Sequence, residues 1–131
     1  MHDIAAAQSI AQTVLEAAEA EGATRVERIH LALGAMTMLD PEQLSFWLEQ
    51  ILRGTIAEGA AVAIERRPLT VRCAACGFEG PVEVPEDPIY HLMPFVPGCP
   101  ACGSNELRVL GGSECIVESL RVTRAEADAD A

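Results

Sequence analysis

Two kinds of hydrophobic spacing and one cysteine pattern predict an α/β fold: a small mixed sheet of about three strands with two helices, plus an inserted zinc-ribbon-like module. Apolar residues recur at three- and four-residue steps in two early segments, which is helical spacing, and at every second residue in three others, which is strand spacing. Cys73-Ala-Ala-Cys76-Gly77 and Cys99-Pro-Ala-Cys102-Gly103 then supply two C-x-x-C pairs, 22 residues apart. Between the pairs Pro81, Pro85, Pro88, Pro94 and Pro97 forbid a long regular element.

Ile4, Ala7, Ala11, Val14 and Ala18 place one apolar stripe on a helix from about Ile4 to Glu21, with Asp3 as candidate N-cap and Gly22 as its stop. From Arg25 to Ala35 the period falls to two. Ile29, Leu31 and Leu33 point one way and Arg28 and His30 the other, which makes a strand with one buried face. Gly34 to Leu39 is expected as a loop. Asp40 caps a second helix with Pro41 at its first position; Leu44, Trp47, Leu48, Ile51 and Leu52 form its apolar face, and Gly54 ends it. Ala61 to Arg66 is a second strand with Val62 and Ile64 inward, and Pro68 to Arg72 a short lead into the cysteine module. Glu106 to Leu110 is a brief strand broken by Gly111 and Gly112. Glu114 to Thr123 is a third strand, with Cys115, Val117 and Ser119 on one face and Ile116, Glu118, Leu120 and Val122 mostly on the other. The predicted domains are residues 1–68 with 111–124, the cysteine module 69–110, and a flexible acidic tail 125–131.

With 131 residues, half of them hydrophobic, the chain can build one ordinary core and a small appended one. Aromatics are only 4%, so Ala, Leu, Val and Ile must build it. The formal charge is −11 and every basic residue is Arg, so phosphate backbones repel the chain and nucleic acid is disfavoured as a partner. No apolar run is long enough to span a bilayer, and the N-terminus carries neither a basic n-region nor a signal-peptide h-region. C-x-x-C pairs in a reducing compartment bind metal rather than form disulfides, so a cytoplasmic protein without membrane insertion is expected.

Four thiolates suit a tetrahedral ion, and Gly77 and Gly103 let the backbone curl around it. The expected ion is structural Zn(II) held by Cys73, Cys76, Cys99 and Cys102, a closed set that leaves no open position for a substrate. Iron is the alternative, since Cys99-Pro-Ala-Cys102-Gly103 also has the form of a rubredoxin-like knuckle and an iron site would carry electrons. A zinc-ribbon protein-interaction module is a second alternative. The Pro-rich insert lacks the aromatic cluster that shields an electron-carrying centre. Cys115 lies on a strand with no base to activate it, which makes it a small buried hydrophobe. There is no nucleophile–base pair, no phosphate loop and no open zinc site, so the chain is not expected to be an enzyme.

The chain opens Met1-His2-Asp3. His is too bulky for initiator-Met removal, so Met1 is expected to keep a free α-amine. That amine, the backbone nitrogens of residues 2 and 3, and the His2 imidazole can wrap a square-planar ion, a geometry that Ni(II) and Cu(II) favour. Asp3 can add a carboxylate or cap the helix. Met1-His2-Asp3, the strand Ile29-His30-Leu31-Ala32-Leu33-Gly34, the helix start Leu39-Asp40-Pro41-Glu42-Gln43-Leu44-Ser45-Phe46 and the two C-x-x-C-G pairs come in this order. So arranged, the chain up to about Arg124 resembles the HypA/HybF family of nickel-incorporation proteins for [NiFe]-hydrogenase, including archaeal-type members. That family carries a Pro-Glu-x-Leu helix start and a Ser-x-x-Val strand end, here Pro41-Glu42-Gln43-Leu44 and Ser119-Leu120-Arg121-Val122.

The resemblance implies a nickel metallochaperone whose cargo is Ni(II), with Met1, His2 and Asp3 as the nickel site and His2 as its essential ligand. The family's third residue is Glu, so Asp3 is one methylene short. Asp40 and His91 are further candidate ligands, the latter in the long insert Ile89-Tyr90-His91-Leu92-Met93-Pro94. The resemblance also implies a HypB-like GTPase as nickel source and the [NiFe]-hydrogenase large-subunit precursor as recipient, with urease a second destination in some members. The bipartite layout allows a homodimer by exchange of strands or modules.

Overall fold

The computed structural model describes residues 2–85, 87–93 and 95–124; the side chains of His2, Pro88 and His91 lie outside that description. So do Met1 and the acidic tail 125–131. The described chain is mixed α/β, with two helices and two three-stranded sheets. It packs as two compact units. One contains residues up to Ala32, Leu39–Glu65 and the chain from Ile116; the other contains Leu33–Met38 and Arg66–Cys115.

In the first unit, helix α1 (His2–Ala20) packs against α2 (Pro41–Ile51). The buried stripe of α1 is Ala7, Ile10, Ala11, Val14 and Ala18, and α2 with the turn after it contributes Leu44, Leu48 and Leu52. Each fully buried Leu or Ile stabilises the fold by roughly 1.5–3 kcal/mol. Two differences from the sequence reading matter. Helix α1 begins at His2, so Asp3 lies inside its first turn instead of capping it. Asp40 does cap α2: its carboxylate accepts from the Glu42 N–H at 2.9 Å, ahead of Pro41 at the first position.

Strand β1 (Ala23–Gly34) is the middle strand, between β2 (Ala61–Arg67) and β6 (Cys115–Arg124). A middle strand has no open edge, and β1 is covered on both faces towards its end: Leu31, Ala32, Leu33 and Gly34 are all buried. The expected one-sided alternation therefore stops at His30. It also skips between Val26 and Ile29, two buried residues separated by two exposed ones. On β2, Val62 and Ile64 are only half-buried.

The second unit is a sheet in the order β4-β3-β5, both pairings antiparallel, built from β3 (Leu69–Cys73), β4 (Glu79–Val82) and β5 (Leu107–Gly111). The expected lead Pro68–Arg72 is thus corrected to a central strand, whose alternation Leu69, Val71, Cys73 points inward. Leu69, Val71 and Val82 form the small core, with Met36, Phe78, Val84, Phe95 and Leu107 packed around it. Met36 comes from the expected loop, which is a 3-10 turn (Ala35–Thr37) tied by Thr37 Oγ1 donating to the Gly34 carbonyl at 2.8 Å.

Three backbone segments converge here. The Gly34 N–H donates to the Glu114 carbonyl and the Met36 N–H to the Gly112 carbonyl, both at 2.8 Å. A Cβ at Gly34 would lie 2.3 Å from the Gly112 backbone, and one at Gly112 would lie 2.4 Å from the Pro68 carbonyl oxygen. Only two glycines let these chains approach so closely.

Candidate metal centre

Cys73 ends β3 and Cys76 follows in the turn; Cys99 and Cys102 form a second turn before β5. The two turns share one hydrogen-bond frame. Gly77 N–H donates to the Cys73 carbonyl at 2.9 Å, and Gly103 N–H to the Cys99 carbonyl at 2.8 Å. Cys73 N–H donates to the Phe78 carbonyl at 2.7 Å, and Cys99 N–H to the Ser104 carbonyl at 2.8 Å. Gly77 and Gly103 take φ of +82° and +80°, which the knuckle requires and other residues resist. The sequence pattern therefore builds the same loop twice.

The four Sγ atoms lie within 4.8 Å of one another. Cys73 and Cys102 are 3.7 Å apart, Cys76 and Cys99 3.6 Å. A tetrahedron with metal–sulfur bonds of ~2.3 Å has sulfurs ~3.8 Å apart, so the cluster is sized for such an ion. All four positions are protein sulfurs, which closes the site to a substrate. Cys73 and Cys99 are buried, while Cys76 and Cys102 are exposed.

The chemistry of the donor set agrees. Four sulfurs this close cannot all be thiolates without a cation among them. The Phe78 N–H, the largest influence on Cys76, pulls its thiol down, but burial and the neighbouring thiols Cys99, Cys102 and Cys73 push it up to about 12. The Ser104 N–H pulls Cys102 down, as does Cys76, but burial and the Cys73 and Cys99 thiols raise it. At Cys99 burial pushes upward but is outweighed by the N–H groups of Cys102 and Ala101 and by the other thiols, which hold it at about 7. Cys99 is thus more readily a thiolate than Cys76 or Cys102, and a divalent ion would supply the charge that those two need. The backbone N–H groups of Phe78, Ala101 and Ser104 were not singled out in the sequence, since any residue can supply them; their signal is the Gly after each second Cys.

At the chain's start, the structure brings Asp3 and Asp40 together: the Asp40 N–H donates to Asp3 Oδ1 at 3.3 Å. The backbone of His2 opens α1, and Met1 lies outside the described residues. His91 closes a 3-10 turn (Pro88–His91) whose start is capped by Asp87, accepting from the Ile89 N–H at 3.0 Å. His30 is half-buried on β1. Burial pushes the half-exposed Cys115 thiol up, away from the thiolate that redox or nucleophilic chemistry needs.

Among the described residues no helix is long and apolar enough to cross a membrane. A family model described as "Hydrogenase/urease nickel incorporation, metallochaperone, hypA" matches residues 1–122. The hydrogenase maturation factor HypA of Methanothermobacter thermautotrophicus is 38% identical over 126 residues, 96% of this chain and 100% of that protein. The HypA of Chlorobium limicola is 33% identical over the same shares of the two chains. The solution structure of the Ni metallochaperone HypA from Helicobacter pylori superimposes with a TM-score of 0.65 at 19% identity, covering 95% of this chain and 100% of that one, which shows a shared fold. The chain is therefore not an enzyme but a member of the HypA family of hydrogenase/urease nickel-incorporation metallochaperones.

Proposed function

We propose that this chain binds Ni(II) at its N-terminus, through Met1, His2 and Asp3, and delivers it during [NiFe]-hydrogenase maturation, with Zn(II) held permanently by Cys73, Cys76, Cys99 and Cys102. The observation that carries the nickel half is where α1 begins. The first N–H groups of a helix have no intrahelical acceptor, so those of residues 2 and 3 are not committed to the helix ladder. A square-planar ion bound through deprotonated amides there costs no helical hydrogen bond. The amidate charge it creates also lies at the positive end of the helix dipole. Asp40, whose backbone N–H donates to the Asp3 carboxylate, is a further ligand candidate beside the N-terminus.

Zinc is favoured over iron for the four sulfurs because the cluster fits a closed tetrahedral thiolate site and the family handles nickel, not electrons. The domain of residues 1–68 and 111–124 would carry the nickel, and the module 69–110 would hold the zinc and a docking surface. A HypB-like GTPase is the proposed nickel source, the hydrogenase large-subunit precursor the recipient, urease a second destination, and a homodimer the proposed assembly.

Nickel calorimetry on the zinc-loaded chain with its native N-terminus tests this reading, beside His2→Ala and a variant with one extra N-terminal residue. The expected result is about one Ni(II) for the native chain and loss of binding in both variants. Equal binding by all three would move the site elsewhere, to His91 first.

A further inference from the structure

We propose that the cleft between α2 and β2 is a docking groove for an extended segment of another protein, with the side-chain pattern basic-x-apolar-x-basic. The cleft has a volume of about 510 Å³ and is lined by Glu42, Ser45, Phe46 and Glu49 of α2, with Pro41 at its end, and by Val62 and Ile64 of β2. It lies wholly within the first unit and uses neither metal site.

The occupant follows from the two walls. Strand β2 is an outer strand, with β1 on one side and no described strand on the other. Its first four residues, Ala61-Val62-Ala63-Ile64, have no charge, no proline and no glycine; the charged Glu65, Arg66 and Arg67 come only after them. Natural proteins normally blunt such an edge, because an uncharged outer strand is a template for another strand. An edge strand beside a helix is also the wall arrangement that takes peptides by strand addition. The second wall explains why the edge is kept open. Phe46 is 51% exposed on α2, where a large aromatic side chain would otherwise be turned inward. It stands edge-on to Trp47, with ring centroids 5.2 Å apart, so it is held in place as a platform.

Charge completes the pattern. Glu42 and Glu49 flank Phe46 on the same stripe of α2, and the lining contains no basic side chain. Seven helical residues separate the two carboxylates, about 10 Å along the axis. In an added strand, residues i, i+2 and i+4 share one face and span about 13 Å. An apolar residue at the centre meets Phe46, Val62 and Ile64, and long basic side chains on either side reach Glu42 and Glu49.

The test uses the full metal-loaded chain, ¹⁵N-labelled, titrated with the peptide acetyl-Ser-Arg-Thr-Val-Thr-Arg-Ser-amide. The control, acetyl-Ser-Thr-Arg-Val-Arg-Thr-Ser-amide, has the same composition and charge but places both Arg on the face opposite Val. The expected result is shift changes confined to residues 42–49 and 61–64, and binding at least about tenfold weaker for the control. Phe46→Ala and the pair Glu42→Gln/Glu49→Gln should each weaken the first peptide about tenfold, while Glu79→Gln/Glu83→Gln leaves it unchanged. Phe46 is half-exposed, so its replacement leaves the core intact. Equal binding of the two peptides, or equal loss in the Glu79/Glu83 pair, would reduce the effect to general attraction by an acidic chain and overturn the proposal. Tighter binding by a helical peptide of the same charge would overturn it as well, since strand addition would then not be the mode.

Discussion

Cys99 and Cys76 are 3.6 Å apart in the same cluster, yet one thiol is held at about 7 and the other pushed up to about 12. Two N–H groups pull Cys99 down where one pulls on Cys76, and the neighbouring thiols lower Cys99 but raise Cys76, which has a measurable consequence. In the metal-free chain at pH 7 about half of Cys99 is already thiolate, while the raised Cys76 and Cys102 hold their protons. Zinc uptake should therefore release fewer protons per ion at pH 7 than at pH 6. Calorimetry in buffers of different ionisation enthalpy checks this; a release that does not change over that range would mean Cys99 is an ordinary thiol. The same sign governs stability of the metal-free form. The Cys99 thiolate favours the fold above the ordinary thiol value of 9.0, and that contribution is lost as pH falls through about 7. Nickel should respond at a different place. His must be neutral to coordinate, so Ni(II) affinity should fall on mild acidification, with zinc retained. Nickel held undiminished at pH 5 would exclude His2 as a main ligand. At this scale the sequence was most informative where residue type and spacing alone define chemistry. Four cysteines in two C-x-x-C-G pairs were enough to foresee a cluster of sulfurs that could hold a metal. The meeting of Asp3 and Asp40 was only a suggestion in the sequence, because no local pattern links residues 37 positions apart.

Helix and strand positions followed from periodicity wherever one face alone is buried. The stripe of α1 and the Asp40-Pro41 start of α2 were both legible, because capping and amphipathic spacing are local properties. Asp40→Ala should lower stability by about 1 kcal/mol through loss of the bond to the Glu42 N–H, read as a shift of the urea midpoint. If Asp40 is also a nickel ligand, the same variant will weaken nickel binding more than that loss of stability explains. Strand β3 was less legible. It has only five residues and follows Pro68, and its role as a middle strand depends on β5, which is distant in sequence, as well as on the nearby β4. The buried alternate residues at the end of β1 escaped for the same reason, since coverage of the second face is a tertiary fact. The glycine crossing was invisible in sequence, where Gly111-Gly112 reads as a simple strand breaker. Gly34→Ala and Gly112→Ala should each cost more than about 2 kcal/mol, because each places a methyl group against backbone that cannot swing away. Gly111→Ala, whose Cβ would meet nothing within 4 Å, should stay within about 1 kcal/mol. Similar midpoints for all three variants would show that the segments can separate at little cost.

As a whole, the molecule is two compact units with very different means of support. The first has a core drawn from two helices and a sheet. Among the described residues, the second is centred on Leu69, Val71 and Val82, with Leu33 and the cysteines Cys73 and Cys99 also buried. So small a core seldom holds without a metal or a cross-link. Removal of the ion by a strong chelator should therefore unfold residues 66–115 while α1 and α2 persist. Hydrogen exchange would show protection lost at β3 and β5 and kept at residues 7–18 and 44–52; a uniform loss would mean that the two units fold as one. The α/β class and the inserted module were legible from pattern alone. That residues 33–38 belong to the second unit was not, because their pairing with Gly112 and Glu114 and the packing of Met36 on the Leu69 cluster are tertiary contacts.

The burial of the four sulfurs is uneven, and this would decide how a bound ion could leave. Cys73 and Cys99 face the interior while Cys76 and Cys102 face water, so one edge of the tetrahedron is open to approach and the opposite edge is shielded. An incoming thiol or chelator can bond to the ion from the open edge before any protein bond has broken. Exchange would then be associative, its rate rising with competitor concentration, and the metal would depart by way of an intermediate still tethered to Cys73 and Cys99. The site that holds the unit together would in that case be thermodynamically firm and kinetically accessible from one side only.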